Sequence, residues 1–331
     1  MTNCTFSKEA KRRLMNGVGS NFTLRSVDQV KESELNIVEI MLVDILPDSS
    51  KTWLNAEKLS MIPRLKLIQS LRAGVDAIDF EQIPDRVKIC GNTGAYSDPI
   101  VEHSIGMILY LSKDLGGRNS KLKSGVADHH NSLLLKGKTL GVVGAGGIGQ
   151  AVARIAGCFG MRTIGVNRSG KPAPNFDRTV GMSKLDLALK LSDVLVLSLP
   201  LTTKTFQIID GSKLQLMKKN CILINVGRGY VIDEEALYNH LLQNPEFKCG
   251  LDVWWYYPKA EEKFSQRFPF LELPNFLGTP HISGYVQEEP QIALDFAIDN
   301  IVRFVKKKLL KGLVDRADYR GLRDLIRGSQ A

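Results

Sequence analysis

The sequence has no run of about twenty apolar residues, which is the length that a membrane-spanning helix needs. Residues 1–14 contain no apolar core of the kind found in a secretion signal. The five cysteines are scattered, and no two form a Cys-x-x-Cys pair. We therefore expect reduced thiols buried in a core, no metal site, no membrane association and a cytoplasmic location.

The sequence also lacks a strongly basic segment, although its net charge is +9. The densest clusters are 11–13 and 306–308, and the second is interpreted as the solvated face of a helix. No nucleic-acid-binding motif accompanies these charges, so we expect no nucleic-acid partner. A basic surface would instead attract anionic substrates and phosphorylated cofactors.

Residues 138–170 predict a strand, a glycine-rich turn, a helix and a second strand. The first strand is expected at 139–143, the helix at 148–159 and the second strand at 162–166. Three glycines between strand and helix are spaced as Gly-x-Gly-x-x-Gly: Gly144, Gly146 and Gly149. This order within about thirty residues is the fingerprint of a dinucleotide-binding unit.

Each glycine meets a different structural requirement in such a unit. Gly144 allows the chain to turn sharply, Gly146 leaves room for a pyrophosphate, and Gly149 lets the helix pack closely on the sheet. The free N–H groups at the start of the helix, around Gly147 and Ile148, would face the phosphate. The alternative is an ordinary glycine-rich turn in an α/β domain.

The end of the second strand bears on the choice of cofactor. NAD-binding units carry an acidic residue about twenty positions beyond the glycines, which bonds the ribose 2′-hydroxyl. This chain has Asn167, Arg168 and Ser169 there, with Lys171 close behind. Since Arg168 can pair with a 2′-phosphate, the sequence predicts NADP rather than NAD, unless Arg168 points to solvent.

Strands alternate with helices on both sides of this unit, which predicts parallel α/β layers. The remaining expected strands are 36–46, 65–69, 87–90, 193–199, 221–226, 248–253 and 276–278. The expected helices are 100–115, 233–242 and 287–309. The glycines at 116 and 117 are expected to end the first of these helices. The polar stretch 116–136 that follows would then cross between two domains.

Several chemically distinctive residues fall at the predicted carboxyl ends of strands, where open parallel sheets bind ligands. Arg228 lies between two glycines, and its guanidinium can hold a carboxylate; it can equally be a solvent-facing loop residue. His281 can deliver a proton to a carbonyl oxygen that receives a hydride, or it can be a structural histidine. The other histidines, including His103 on a predicted helix, have weaker claims.

The order of these pieces resembles the D-isomer-specific 2-hydroxyacid dehydrogenase family. The matching segments are 67–79, 144–149, 199–205, 224–237, 250–255 and 273–284. The resemblance implies NAD(P)-dependent interconversion of a small 2-oxoacid and its D-2-hydroxyacid, of the glyoxylate or hydroxypyruvate reductase type. The alternative is a weakly active or inactive relative that binds dinucleotide and acts through protein partners.

The resemblance also implies an architecture. A Rossmann-type, doubly wound cofactor domain at 116–286 would be inserted into a smaller, flavodoxin-like α/β substrate domain. That second domain would comprise residues 1–115 and 287–331. The family further implies a homodimer formed through the cofactor domains.

The family pattern assigns roles to residues of this chain. His281 would be the general acid, and Arg228 would hold the substrate carboxylate together with backbone N–H groups near Ala73, Gly74 and Val75. The cofactor would be lined by Leu199, Pro200, Val226, Gly227, Asp252, His281 and Gly284, in addition to the glycine turn and the 167–169 segment.

One position departs from that pattern. The family usually has a glutamate followed by proline shortly after the position of Asp252, and this carboxylate pairs with the histidine. Here Tyr257 precedes Pro258. Either Tyr257 lies beside His281 as its partner, or Glu261 or Glu262 reaches back. Without a carboxylate, His281 would be less protonated at neutral pH.

Overall fold

The computed structural model describes residues 1–4, 6–45, 53–258 and 262–330. The chain divides into two compact units, Met1–Tyr96 with Val286–Ala331, and Ser97–Tyr285. The sequence prediction placed residues up to 115 in the first domain, whereas the structure groups 97–115 with the second unit. The helix at 97–113 packs there on the glycine-unit helix and on two strands of the larger sheet.

The strands and helices are as follows in chain order. The strands are β1 (Ile40–Val43), β2 (Leu67–Ser70), β3 (Lys88–Cys90), β4 (Thr139–Val143), β5 (Arg162–Asn167), β6 (Arg178–Gly181), β7 (Val194–Leu197), β8 (Ile222–Asn225), β9 (Lys248–Leu251) and β10 (Phe276–Gly278). The helices are α1 (Lys8–Val18), α2 (Ala56–Ser60), α3 (Ser97–Lys113), α4 (Leu115–Lys123), α5 (Gly147–Cys158), α6 (Leu185–Leu191), α7 (Gly211–Gln215), α8 (Glu234–Gln243), α9 (Glu289–Val305) and α10 (Leu322–Gln330).

The first unit contains a three-stranded parallel sheet in the order β1-β2-β3. Isolated parallel bridges extend it, because Thr2 pairs with both Leu42 of β1 and Ser26. Counting those two bridged segments as strands, the order becomes 2-1-3-4-5, which is the flavodoxin order. The predicted α/β class of this unit is therefore confirmed, although its first two strands are reduced to single bridges.

The predicted strand at 36–46 is confirmed only over β1. A 3₁₀ helix at Glu32–Ile37 occupies its beginning, and residue 46 lies outside the described residues. Asn36 and Glu39 interrupt the apolar residues at the start of this segment, and Ile37 is exposed. Behind β1 and β2, α1 packs on α9.

The second unit contains a seven-stranded sheet in the order β10-β9-β8-β7-β4-β5-β6, and every pairing is parallel. Numbered from β4, this is the doubly wound order 3-2-1-4-5-6 with one extra strand. The central strands β4, β7 and β8 are buried along their whole length, as apolar runs covered on both faces should be. The predicted Rossmann-type sheet is confirmed, and its topological switch point lies between β4 and β7.

The prediction that glycines 116 and 117 end the first helix is wrong. The break occurs earlier, at Asp114, which adopts the left-handed conformation with φ 51°. Both glycines then lie inside α4, where a Cβ at Gly116 would overlap the hydroxyl of Tyr110. Close packing rather than helix termination explains them.

The structure bears on two features of the sequence, the lack of a long apolar run and the scattered cysteines. None of the helices within the described part of the chain is both long and apolar enough to cross a membrane. All five cysteines are free thiols. Cys90, Cys221 and Cys249 are buried as expected, but Cys158 is exposed at the end of α5, so the expectation of a core position is wrong there.

Candidate active site

The glycine turn after β4 has the geometry that its spacing predicts. Gly144 has φ 110°, and a Cβ on it would lie 2.7 Å from the carbonyl oxygen of Ser198, at the switch point of the sheet. A Cβ on Gly149 would overlap the carbonyl oxygen of Gly144, so α5 can approach β4 only with glycine there. These two positions are fixed by contacts within the protein.

Gly146 differs from both, because its Cβ would meet none of the described atoms within 4 Å. It is the N-cap of α5, which starts at Gly147 and continues with Ile148. The backbone N–H groups of the first helical turn have no intrahelical acceptor, and they lie beside this open space. A helix start that is open, has free N–H groups and carries the partial positive charge of the helix dipole can bind a phosphate group, so the residues present fit a dinucleotide.

The loop after β5 is shaped by Asn167. Its Oδ1 accepts hydrogen bonds from the N–H groups of Ser169 (3.2 Å) and Gly170 (2.6 Å), and its Nδ2 donates to the carbonyl of Lys171 (2.8 Å). The side chain of Arg168 is exposed at the tip of this loop. An exposed guanidinium therefore lies next to the strand end where NAD-binding units carry a carboxylate.

The loops after β7 and β8 lie against each other. A Cβ on Gly227 would be 2.6 Å from the carbonyl oxygen of Leu199, and the N–H of Val226 donates to the carbonyl of Leu197 (3.1 Å). Leu199 and Val226 are buried, whereas Pro200 is exposed. These four positions of the predicted cofactor lining therefore belong to two adjoining loops.

Arg228 follows directly and is half-buried. Its Nη1 donates to the carbonyl of Gly227 (2.8 Å), and its own carbonyl accepts from the Nδ2 of Asn225 (2.9 Å). A Cβ on Gly229 would overlap the backbone of Trp254, so glycine is required for the close approach of the loop after β9. The two glycines thus give Arg228 a compact loop, as predicted.

Asp252, just beyond β9, is completely buried. Its Oδ1 accepts from the hydroxyl of Thr279 (2.6 Å) and the N–H of Ile282 (2.9 Å), and its Oδ2 accepts from the N–H of Ser283 (3.0 Å), which immediately precedes Gly284. One carboxylate therefore anchors the chain on both sides of His281. This anchoring contact joins residues 27 to 31 positions apart, so it was not foreseen from the sequence.

His281 is half-buried and adopts the left-handed conformation, with φ 59°. Left-handed backbone is uncommon outside glycine and is found at functional sites. The N–H of His281 donates to the carbonyl of Thr279 (3.0 Å), which also accepts from the indole Nε1 of Trp254 (2.9 Å). The loop that carries the imidazole is thus held by backbone and side-chain contacts together.

Tyr257 lies beside His281, with ring centroids 5.3 Å apart and ring planes tilted by 39°. Its hydroxyl accepts a hydrogen bond from the N–H of Trp254 (2.9 Å). Glu262 accepts a hydrogen bond from the hydroxyl of Tyr256 (2.6 Å), which raises the pKa of that phenol. Glu261 lies outside the described residues.

The segment expected to hold the substrate carboxylate, Ala73 to Val75, belongs to the first unit and follows β2. Asn92 braces its base, because its N–H donates to the carbonyl of Arg72 (2.9 Å) and its Nδ2 donates to that of Leu71 (3.0 Å). The hydroxyl of Tyr96 donates to the same Leu71 carbonyl (2.7 Å).

Arg72, next to that segment, forms an ion pair that sequence reasoning missed. Its Nε and Nη2 donate to the two carboxylate oxygens of Asp44 at 2.8 and 3.1 Å, and its Nη1 lies 3.5 Å from Glu289. Burial alone would lower the pKa of Arg72, but the hydrogen bond and charge of Asp44 outweigh it and raise the pKa. The only sequence signal was its place in the segment 67–79, since its partner lies 28 positions away.

The second unit therefore presents a glycine turn, a guanidinium and an imidazole along the carboxyl edge of one sheet. They follow β4, β8 and β10, and Asp252 follows β9 between them. Among the described residues, no three His, Cys, Asp or Glu side chains are grouped so as to hold a metal ion. The chemistry these groups offer is anion binding, carboxylate recognition and proton transfer.

Comparisons with known proteins give a consistent picture. Residues 105–283 match the family model described as "D-isomer specific 2-hydroxyacid dehydrogenase, NAD binding domain". The chain is 33% identical to a hydroxypyruvate reductase of Thermotoga maritima over 86% of this chain and 91% of that protein. It is 31% identical to a glyoxylate reductase of Thermococcus litoralis over 83% of this chain and 84% of that one. A crystal structure from Pyrobaculum aerophilum, provisionally named a formate dehydrogenase, is 26% identical with a TM-score of 0.81, covering 96% of this chain and 98% of its own.

Proposed function

The chain belongs to the D-isomer-specific 2-hydroxyacid dehydrogenase family, and we propose that it reduces a small 2-oxoacid of the glyoxylate or hydroxypyruvate type with NADPH. The observation that carries this proposal is the edge shared by Arg228, His281 and the glycine turn within one sheet. A dehydrogenase acting on a 2-oxoacid needs these three elements to hold a carboxylate, move a proton and bind a dinucleotide.

The residues that would hold the dinucleotide are those of the glycine turn, with Gly146 leaving the space for a pyrophosphate. When bound, the nicotinamide supplies the hydride that reduces the 2-oxoacid. Asn167 and Ser169 shape the loop on which Arg168 is exposed. A charge-assisted hydrogen bond from Arg168 to a 2′-phosphate would contribute about 1.5–3 kcal/mol, which favours NADP over NAD.

His281 would donate its proton to the carbonyl oxygen of the 2-oxoacid and take one back in the reverse reaction. The left-handed loop supports this role, because its hydrogen bonds fix the backbone from which the imidazole projects. Arg228 would bind the substrate carboxylate with two parallel hydrogen bonds. The N–H groups near Ala73, Gly74 and Val75 of the first unit would also donate to a substrate carboxylate.

Tyr257 would take the place of the usual glutamate beside His281. A phenol hydroxyl is neutral at pH 7 and stabilises an imidazolium less than a carboxylate does. Each unit lost from the histidine pKa corresponds to about 1.4 kcal/mol. We therefore expect the rate of oxoacid reduction to fall at a lower pH than it would with glutamate at this position.

A homodimer forms part of the proposal and is supported by α4. None of the described residues of α4 is buried, and apolar side chains are exposed along it and in the loop that follows. Examples are Leu122 (66% exposed) and Leu134 (65% exposed). A second copy covering this surface would remove it from water. The five free thiols fit a reducing, cytoplasmic compartment.

A panel of small 2-oxoacids, assayed with NADPH and NADH across pH, tests this function. We expect turnover of glyoxylate or hydroxypyruvate and a lower Michaelis constant for NADPH. NADPH binding without turnover of any 2-oxoacid would support the alternative of a non-catalytic relative, for which Tyr257 in place of glutamate is the favouring observation. Oxidation of formate alone would contradict both.

A further inference from the structure

A second histidine is connected to the loop of His281, and no role described so far uses it. His103 lies on α3, and its Nε2 is 3.0 Å from the hydroxyl oxygen of Thr279. That hydroxyl is 2.6 Å from Oδ1 of Asp252, and the same Nε2 is 3.7 Å from this oxygen. His103 is largely withdrawn from water, with 21% of its side chain exposed.

The direction of these hydrogen bonds follows from the groups themselves. A carboxylate oxygen accepts, so the hydroxyl of Thr279 donates its only proton to Asp252. The hydroxyl oxygen then acts as acceptor toward His103, whose Nε2 must carry a hydrogen. The contacts therefore define the Nε2–H form of His103 and an ordered series of bonds from His103 through Thr279 to Asp252.

The series ends on the carboxylate that anchors both sides of His281. Thr279 precedes His281 by two residues, and Ile282 and Ser283 follow it. A left-handed residue other than glycine persists only where its surroundings determine it. If the hydroxyl of Thr279 turned away from Asp252, the hydrogen bond that fixes the chain on the N-terminal side of His281 would be lost.

We propose that His103 is a positioning residue for His281: its Nε2–H holds the hydroxyl of Thr279 toward Asp252 and so fixes the loop that presents the catalytic imidazole. This inference rests on the proposed function for the role of His281. It adds a contribution from α3, an element that carries none of the residues assigned to substrate or cofactor.

The first test uses two pairs of variants. His103→Leu removes the N–H donor, and His103→Gln retains one. Thr279→Val removes the hydroxyl, and Thr279→Ser retains it. We expect kcat to fall about tenfold in His103→Leu and Thr279→Val, the size of a buried hydrogen bond whose partner is left unsatisfied, and to recover in His103→Gln and Thr279→Ser. The Michaelis constant for NADPH should change little in all four. An equal loss in His103→Gln and His103→Leu would overturn the proposal.

Non-additivity distinguishes one connected series from two separate effects. If His103 acts through Thr279, the double variant His103→Leu/Thr279→Val should lose no more activity than Thr279→Val alone. Losses that multiply would contradict the series. His240→Gln is the matched control, because His240 is another half-buried histidine of the same unit, packed edge-on against Phe247.

A readout independent of turnover separates this inference from the proposed function. The imidazole C–H signal of His281 can be assigned by NMR with His281→Gln and compared at one pH among folded variants. We expect it to shift in His103→Leu and Thr279→Val but not in His240→Gln. If the wild type reduces no 2-oxoacid, the proposed function fails and this signal still decides. An unmoved His281 signal in Thr279→Val, a near-isosteric change, would refute the positioning role even if His103→Leu failed to fold.

Discussion

Gly146→Ala gives a sharp prediction, because the three glycines of the turn differ in what a methyl group would meet. At Gly149 the methyl group would overlap the Gly144 carbonyl, so Gly149→Ala should destabilise the fold. At Gly146 it would enter space free of described atoms, and φ is −87°, which alanine adopts readily. Gly146→Ala should therefore leave the fold intact or stabilise it by about 0.4–1 kcal/mol.

The same methyl group would occupy the space proposed for the pyrophosphate. We expect Gly146→Ala to weaken NADPH binding at least about tenfold, equivalent to roughly 1.4 kcal/mol. Gly157→Ala is the matched control, since Gly157 lies in the same helix and a Cβ there also meets no described atom within 4 Å. That variant should gain roughly as much stability as a glycine-to-alanine change gives in a helix, about 1 kcal/mol, without affecting the cofactor.

Two measurements on each variant are sufficient: the thermal unfolding midpoint and the dissociation constant for NADPH from fluorescence titration. The combination expected for Gly146→Ala is a retained midpoint with weakened binding. Wild-type affinity for NADPH in a folded Gly146→Ala protein would refute the assignment of the pyrophosphate to this turn.

Three further changes have defined outcomes. Arg168→Ala should raise the Michaelis constant for NADPH about tenfold or more and leave that for NADH nearly unchanged. Its control is Arg162→Ala, because Arg162 is exposed at the opposite end of β5, and this variant should alter neither constant. Tyr257→Glu should extend the pH–rate profile of reduction upward, because a carboxylate raises the pKa of His281 and keeps it protonated to higher pH. Arg72→Met should raise the Michaelis constant for the 2-oxoacid several-fold but not that for NADPH, since it removes the guanidinium that pairs with Asp44 and lies near Glu289 beside the loop at 73–75.

Each of these has a contrary result. An unchanged preference between NADPH and NADH in Arg168→Ala would mean that the Arg168 side chain points to solvent and does not contact the 2′-phosphate. A pH–rate profile that does not move in Tyr257→Glu would remove Tyr257 from the proton-transfer site. For Arg72, the control is Arg64→Met, since Arg64 pairs with Glu39 at the other end of the same small sheet; equal effects of the two variants would contradict a local role.

The glycine unit was predictable because its information is local. Spacing alone specified β4, the turn and α5 to within a residue or two, and the structure adds only which neighbour makes each glycine necessary. The strand β6 was missed, since Arg178–Gly181 is a short edge strand with one buried residue and no apolar run. Locally weak patterns become strands when a neighbouring strand supplies their hydrogen bonds.

The contacts that shape the candidate site are long-range in the sequence, unlike the local pattern of the glycine unit. Asp252 with Thr279 and Arg72 with Asp44 join residues far apart in the chain, and nothing in their own segments indicates the partner. The helix break at Asp114 was placed instead at the following glycines, because glycine is the more common terminator. The sequence thus predicts the strand ends that carry the site, whereas the hydrogen bonds that support the site are visible only in the structure.

The central claim is that His281 transfers a proton during reduction of a 2-oxoacid. The most direct test is kcat/KM for hydroxypyruvate or glyoxylate with NADPH, measured for the wild type, His281→Gln and the control His240→Gln. Proton transfer by His281 predicts a measurable wild-type rate, a loss of about a hundredfold or more in His281→Gln and little change in the control. An equally active His281→Gln enzyme, or a wild type that consumes no NADPH with any 2-oxoacid, would contradict it.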